Sequence, residues 1–213
     1  MPKWSRILSR YKLAVGHHHL GRVGERMRLM RQALRLHPDS RCVAVTHIDV
    51  EIARPRADVL LLCYIVSGKI SDVRMPPLTA AARSDALWRH TCFEAFVGAS
   101  SSSGYYEFNF APSRQWAAYR FSGYRSGMCV ADEVGAPSID VRPNPDGCTL
   151  QAKLDLHRLP ALPGRGSRRL GLAAVIEEIK GDISYWALVH PPGKPDFHHP
   201  DCFAHEFSAA AQP

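Results

Sequence analysis

Glu94 and Glu107 are the residues best placed to do chemistry in this chain. Each interrupts a short apolar, aromatic run, residues 92–97 and residues 105–110. A carboxylate in such a run must be paired, hydrogen-bonded or protonated. Around them stand Trp88, Asn109, Trp116, Tyr119 and Arg125, with Trp186 further along. These residue types suit a sugar. Aromatic rings stack on the apolar C–H faces of a pyranose, while carboxylates, amides and guanidinium groups take its hydroxyls. Trp88 and Trp116 would stack, Glu107, Asn109 and Arg125 would hydrogen-bond, and Glu94 would orient them. The same two glutamates define a second chemistry. On one face of neighbouring strands they form a carboxylate pair for glycoside hydrolysis, about 5–5.5 Å apart for retention or about 6.5–9.5 Å for inversion. A third reading is structural: a solvated sheet face with packed aromatics, and Glu94 in an ion pair with Arg120 or Arg125.

A histidine and carboxylate cluster lies near the C-terminus. Asp196, His198 and His199, with His190, Asp201 and His205 nearby, are ligand types that zinc, iron or copper accept. A haem would need an axial pair such as His90 with Met75. Asp85 and Glu94 offer oxygens to calcium, which needs about six to eight. No spacing here is specific to a metal, and no cofactor is expected, with calcium or a transition metal as the alternative.

The elements that must position these residues are strands. Residues 92–97, 105–110 and 115–121 alternate and are bounded by Gly, Ser and Pro clusters, a three-stranded meander. Alternation puts Cys92, Glu94 and Phe96 on one side of the first strand, and Tyr105, Glu107 and Asn109 on one side of the second. In the third, Trp116, Ala118 and Arg120 oppose Ala117, Tyr119 and Phe121. Residues 42–52, 58–66, 70–74, 138–142, 148–156, 169–178 and 184–189 read as further strands. Residues 155–160 read as a single helical turn, and residues 190–203 are too rich in proline for regular structure. About nine or ten strands with almost no helix predict an all-β fold, an antiparallel β-sandwich of jelly-roll type.

Composition narrows the classes. The 213 residues, 46% hydrophobic, fit one domain with a real core. The net charge of +7 is uneven: residues 1–41 hold ten Lys or Arg and two acids, giving +8 and leaving −1 for the rest. The body therefore gives no reason to expect a specific nucleic-acid partner. No apolar run reaches the ~18 residues of a membrane span. Cys42, Cys63, Cys92, Cys129, Cys148 and Cys202 are scattered without zinc spacing, and no secretory leader is legible, so a cytoplasmic location is expected. Residues 1–35 read as a basic extension, disordered or lying upstream of the true start, since Met27 and Met30 are alternative initiators. Val23, Met27, Met30 and Leu34 fall at helical spacing within it. The domain proper runs over residues 36–207, with 208–213 as a tail.

The ordered motifs LW-x-x-TCFE-x-F, YYEFNFAPSRQWAAYRF, GYR-x-G and HPPGKPDFHHPDCF resemble those of DOMON-like proteins related to the type 9 carbohydrate-binding module, over about residues 36–207. The resemblance implies a β-sandwich that recognises a sugar or oligosaccharide, although some DOMON relatives bind haem. The matching positions are Trp88, Cys92, Glu94, Tyr106, Glu107, Asn109, Pro112, Trp116, Tyr119, Gly123, Tyr124 and Arg125, with Lys194, Asp196, His198 and His199 in the tail. Type 9 modules clamp a sugar between two tryptophans and often carry structural calcium. Trp88, Trp116 and Trp186 are the available clamps. A non-catalytic sugar-binding protein is thus the leading expectation, ahead of a glycoside-acting enzyme, a metal or haem protein using the C-terminal cluster, and a plain interaction module.

Overall fold

A computed structural model describes residues 29–159, 162 and 166–208. Twelve strands occur among them: β1 Leu29–Leu36, β2 Val45–Arg56, β3 Val59–Gly68, β4 Cys92–Ala99, β5 Tyr105–Phe110, β6 Trp116–Phe121, β7 Cys129–Val130, β8 Ser138–Asn144, β9 Gly147–Asp155, β10 Ser167–Glu177, β11 Ile183–Ala187 and β12 His205–Ser208. The fold is all-β, and every strand pairing is antiparallel. The hydrogen-bonded order is β7-β6-β5-β4-β10-β11-β1-β2-β3-β9-β8, with β12 on β10.

The sheet curls on itself, so one half packs its apolar side against the other. Tyr64 of β3 and Phe93 of β4 meet at 5.1 Å between ring centroids in the centre of this core. Tyr64 also donates its O–H to the backbone carbonyl of Glu94 at 2.8 Å. That bond ties the two halves of the sheet at Glu94. A buried phenol needs such an acceptor.

The helix expected around Met30 and Leu34 is a strand. Residues Leu29 to Leu34 pair with β2, and Arg35 and Leu36 pair with Ala187 and Trp186 of β11. This one strand therefore passes from one half of the sheet to the other. The edges of β2 and β11 each need a partner, and that tertiary demand overrides a local helical pattern. The sheet thus begins inside the segment read as an extension; Val23 and Met27 lie outside the described residues. One other reading shifts: residues 70–74 hold a 3-10 turn, Ile70–Asp72, rather than a strand. β12 follows the proline-rich segment.

Candidate ligand-binding site

The meander strands form where expected, and their register decides which side chains meet. Between β4 and β5, Glu94 faces Asn109 and Phe96 faces Glu107. Between β5 and β6, Glu107 faces Tyr119 and Tyr105 faces Phe121. On the other side of β4, Ala173 and Val175 of β10 face Glu94 and Cys92, and Tyr185 of β11 faces Val175. Cross-strand partners share a sheet face. Cys92, Glu94, Glu107, Asn109, Tyr119 and Tyr185 therefore lie together on the face turned away from the main core. Loops roof this face and leave a cleft of about 350 Å³, lined among others by Trp88, Glu94, Glu107, Arg125, Tyr185 and His198.

The two carboxyl groups form the floor. Glu107 accepts a hydrogen bond from Asn109 Nδ2 at 2.7 Å. Burial pushes its pKa up to about 7, against the lowering pull of that bond and of Arg125. Glu94 is only 3% exposed, and its Oε1 is buried with no hydrogen-bond partner among the described residues. Burial first, and the neighbouring Glu107 charge second, hold Glu94 protonated well above the usual carboxyl range. Neither arginine expected to pair with it does so. Arg120 binds Glu133 at 3.2 Å and Arg125 binds Asp196 at 2.7 Å.

The walls are built by three loop segments. The 3-10 turn Leu87–Arg89 carries Trp88, whose ring stands edge-on to Tyr119 at 5.6 Å. The turn is entered through Ala86 at φ 57, and Asp85 Oδ1 accepts both the Ala86 N–H and the Tyr119 hydroxyl. Arg125, at φ 49, donates its N–H to Tyr105 Oη at 3.3 Å. A left-handed backbone costs a non-glycine residue about 1–2 kcal/mol, so the surroundings must hold it. Two of the three such residues described, Ala86 and Arg125, flank this cleft.

His198 closes the third side. Asp196 Oδ1 accepts its backbone N–H at 3.1 Å and also takes the Arg125 guanidinium, so one carboxylate fixes both loops. The Tyr105 hydroxyl lies 2.8 Å from His198 Nδ1. With Tyr105 already accepting from Arg125, its proton goes to Nδ1, and His198 carries its own at Nε2, 3.8 Å from Glu107 Oε2. Burial, with Arg125 adding to it, lowers the His198 pKa to about 4. The imidazole is therefore neutral at pH 7 and adds no positive charge to the floor.

The sequence-derived candidates divide cleanly. Trp88, Glu94, Glu107 and Arg125 line the cleft. Asn109 is fully buried behind Glu107 and positions it, and Tyr119 supports Trp88 from behind. Trp116 and Trp186 belong to the core. Trp116 pairs with Phe110, is 5% exposed and lies under the Arg83 guanidinium at 4.2 Å. Trp186 donates to Ser184 Oγ at 3.1 Å and is equally sealed. Stacking on a ligand therefore falls to Trp88, with Tyr185 and Phe197 as further aromatic wall. Tyr185 was missed by one position: it is the strand neighbour of Trp186, and only the β10–β11 register reveals which of the two faces out.

The proposed metal ligands serve other ends. Asp196 holds Arg125 and Tyr124, His198 meets Tyr105, and His199 Nδ1 accepts the Asp201 N–H at 3.3 Å. His90 is bound to Glu177 at 2.7 Å. Among the described residues no group of three or more His, Cys, Asp or Glu is arranged to hold a metal ion.

No protein-family model matches the chain, and no curated protein is detectably similar to it. Among solved structures it is similar to a candidate carbohydrate-binding protein from Bacteroides uniformis, at a TM-score of 0.64 and 14% identity, over 84% of this chain and 86% of that one. At that identity the likeness is one of fold. The chain also matches a family 9 carbohydrate-binding module from Caldicellulosiruptor kristjanssonii in complex with cellotriose, at a TM-score of 0.45 and 12% identity over 78% of this chain and 75% of that one. The same module in complex with glucose matches at the same score and identity, over 78% and 76%. No helix among the described residues is long and apolar enough to cross a membrane.

Proposed function

We propose that this chain is a carbohydrate-binding protein, a DOMON-like β-sandwich that seats a small sugar in the cleft over β4 and β5. One observation carries the reading: a buried carboxyl oxygen, Glu94 Oε1, lies without a partner among the described residues in a cleft walled by Trp88, Tyr185 and Phe197. Buried polar atoms without partners cost about 1–3 kcal/mol, and a hydroxyl-bearing ligand removes that cost. Sugar hydroxyls both donate and accept, so they satisfy a carboxyl in either protonation state. The cleft's volume falls within the ~300–1,000 Å³ range of small-ligand sites. Trp88, half-buried and edge-braced by Tyr119, presents the stacking surface, and Asn109 fixes Glu107. The six cysteines are free thiols, which supports a reducing, cytoplasmic setting.

The test is calorimetric titration and thermal shift against neutral mono- and disaccharides and amino sugars, with and without EDTA. A sugar-dependent rise in midpoint that Trp88→Ala abolishes is the expected result. Silence with every sugar removes the reading.

A second reading is favoured by the register alone. Glu94 and Glu107 occupy diagonal positions on one face, where side chains stand about 7–8 Å apart, inside the ~6.5–9.5 Å of an inverting glycosidase. Turnover of nitrophenyl glycosides, lost in Glu94→Gln and in Glu107→Gln, would establish it. No turnover across α- and β-linked substrates would remove it.

A further inference from the structure

We infer that the cleft selects a sugar bearing a protonated amine, its ammonium seated between the Glu94 and Glu107 carboxylates. This rests on the sugar-binding reading and names the class of sugar. The inference stands on the charges that surround the floor. From β4 and β5 come the two glutamates themselves, with Cys92, Asn109 and Tyr105; from β6 comes Tyr119. β10 brings only Ala173 and Val175 opposite them, its Glu177 being held by Arg74 and His90. β11 brings Tyr185, and the loops bring Trp88, Arg125 and His198.

Among the described residues lining the cleft Arg125 is the single full cation, and Asp196 binds its guanidinium through Nε at 3.1 Å and Nη2 at 2.7 Å. His198 sits between Tyr105 and Glu107 as a neutral imidazole. Two buried carboxyl groups thus share a pocket in which no described lining residue supplies a free positive charge, Arg125 being held by Asp196. Among the described residues Glu94 Oε1 has no hydrogen-bond partner, and Glu107 Oε2 lies 3.8 Å from His198 Nε2. Paired buried acids of this kind stay partly protonated until a cation arrives. The raised pKa values of both groups agree.

The walls specify which cation. Trp88, Tyr185, Phe121 and Phe197 present aromatic surface, which attracts organic cations and stacks on sugar rings. A divalent metal needs about six to eight oxygens in calcium's case, and two carboxyls among aromatic rings fall short of that. An ammonium on a pyranose matches both halves of the site. Its three donors reach both glutamates, and its ring lies against Trp88.

Binding must then eject a proton. The ammonium ionises carboxyl groups that hold protons in the free protein, so uptake of the ligand at about pH 6 releases on the order of one proton. The deciding experiment titrates the full chain with glucosamine, glucose, N-acetylglucosamine, ethanolamine and calcium chloride at that pH. Titrations in two buffers of different ionisation enthalpy count the protons. The expected result is glucosamine bound at least about tenfold more tightly than any of the others, with proton release. Glu107→Gln and Glu94→Gln, with unfolding midpoints checked, bring the glucosamine-to-glucose ratio towards one. Glucose or N-acetylglucosamine binding as tightly as glucosamine overturns this inference and leaves the sugar reading standing. Ethanolamine or calcium matching glucosamine overturns the inference in favour of a plain cation site. No binding by any probe sinks the inference and the sugar reading together.

Discussion

The two faces of the β4–β5–β6 meander use the same three strands for opposite ends. One face carries Phe93, Phe108, Phe110 and Trp116 into the main core, where all four are at most 5% exposed and Tyr64 closes the gap to the other half of the sheet. The other face carries Glu94, Glu107, Tyr105 and Tyr119 beneath a roof of loops. Burial is nearly as deep there, with both glutamates at 5% exposure or less. What differs is satisfaction. Among the described residues, no side-chain atom of Phe93, Phe108, Phe110 or Trp116 is buried and unpartnered, whereas Glu94 Oε1 on the cleft face is. Glu178, just past the end of β10, shows what a structural carboxylate looks like. Its Oε1 accepts the N–H groups of Val43 at 2.7 Å and Ala44 at 2.8 Å, and those bonds hold its pKa below the ordinary range. Depth of burial does not separate a functional acid from a structural one; the list of its partners does.

The largest effect belongs to the core face. Trp116→Ala should cost about 3–5 kcal/mol of stability, the usual loss for a large aromatic taken from a core. Urea unfolding of the variant checks this, and a loss below about 1 kcal/mol would break the assignment of faces.

The cleft face should betray itself through pH. Glu107 holds its proton up to about 7 when folded, against 4.5 for the ordinary group. Its stabilising contribution is therefore complete at acid pH and is lost as pH rises through about 7. The loss for this one group approaches about 3 kcal/mol. Urea midpoints measured across that window should fall towards neutrality, and Glu107→Gln should flatten the fall. A Glu107→Gln profile as steep as the parent's would contradict the environment described here.

Trp88→Ala should move stability by no more than about 1 kcal/mol, because the ring is half-buried and braced on one side only. Affinity for a bound sugar should nevertheless fall about tenfold or more. Equal losses in both would place Trp88 with the core tryptophans. The smallest effect is expected from Tyr105→Phe, which frees His198 Nδ1 and removes one hydrogen bond worth about 1 kcal/mol. The His198 pKa, which burial lowers to about 4, should then rise when followed by NMR. No movement would show that the Tyr105 contact adds nothing to the burial that lowers it.

Much of this arrangement was legible in the chain. β5 runs over the residues that alternation selects, and the faces of β4, β5 and β6 follow from parity. The coincidence of Glu94 and Glu107 on one face could be stated as a condition and is met by the register. Register itself was not legible. Nothing local says that Trp116 opposes Phe110 rather than Glu107, and a one-residue slip exchanges the faces. That is why Trp116 and Trp186 were grouped with the site while Tyr185 was not. The roof was beyond reach for a related reason. His198, Phe197 and Arg125 meet the floor through contacts spanning much of the chain, as Tyr105 to His198 shows. β1 failed differently, since its helical spacing was real and its strand pairing is imposed by neighbours far along the sequence.

That first strand sets a timetable for synthesis. Arg35 pairs with Ala187, and the cleft floor itself needs Ala173 beside Glu94. At about 5–20 residues per second, β1 waits roughly ten to thirty seconds on the ribosome before its second partner emerges. During that interval one edge is open, and open edges recruit other chains. Arg31 and Arg35 lie on this strand, and charges at such positions discourage edge-to-edge association. Chains halted before residue 183 should therefore lack sugar binding yet remain dispersed, and replacing both arginines with valine should make those same truncated chains aggregate.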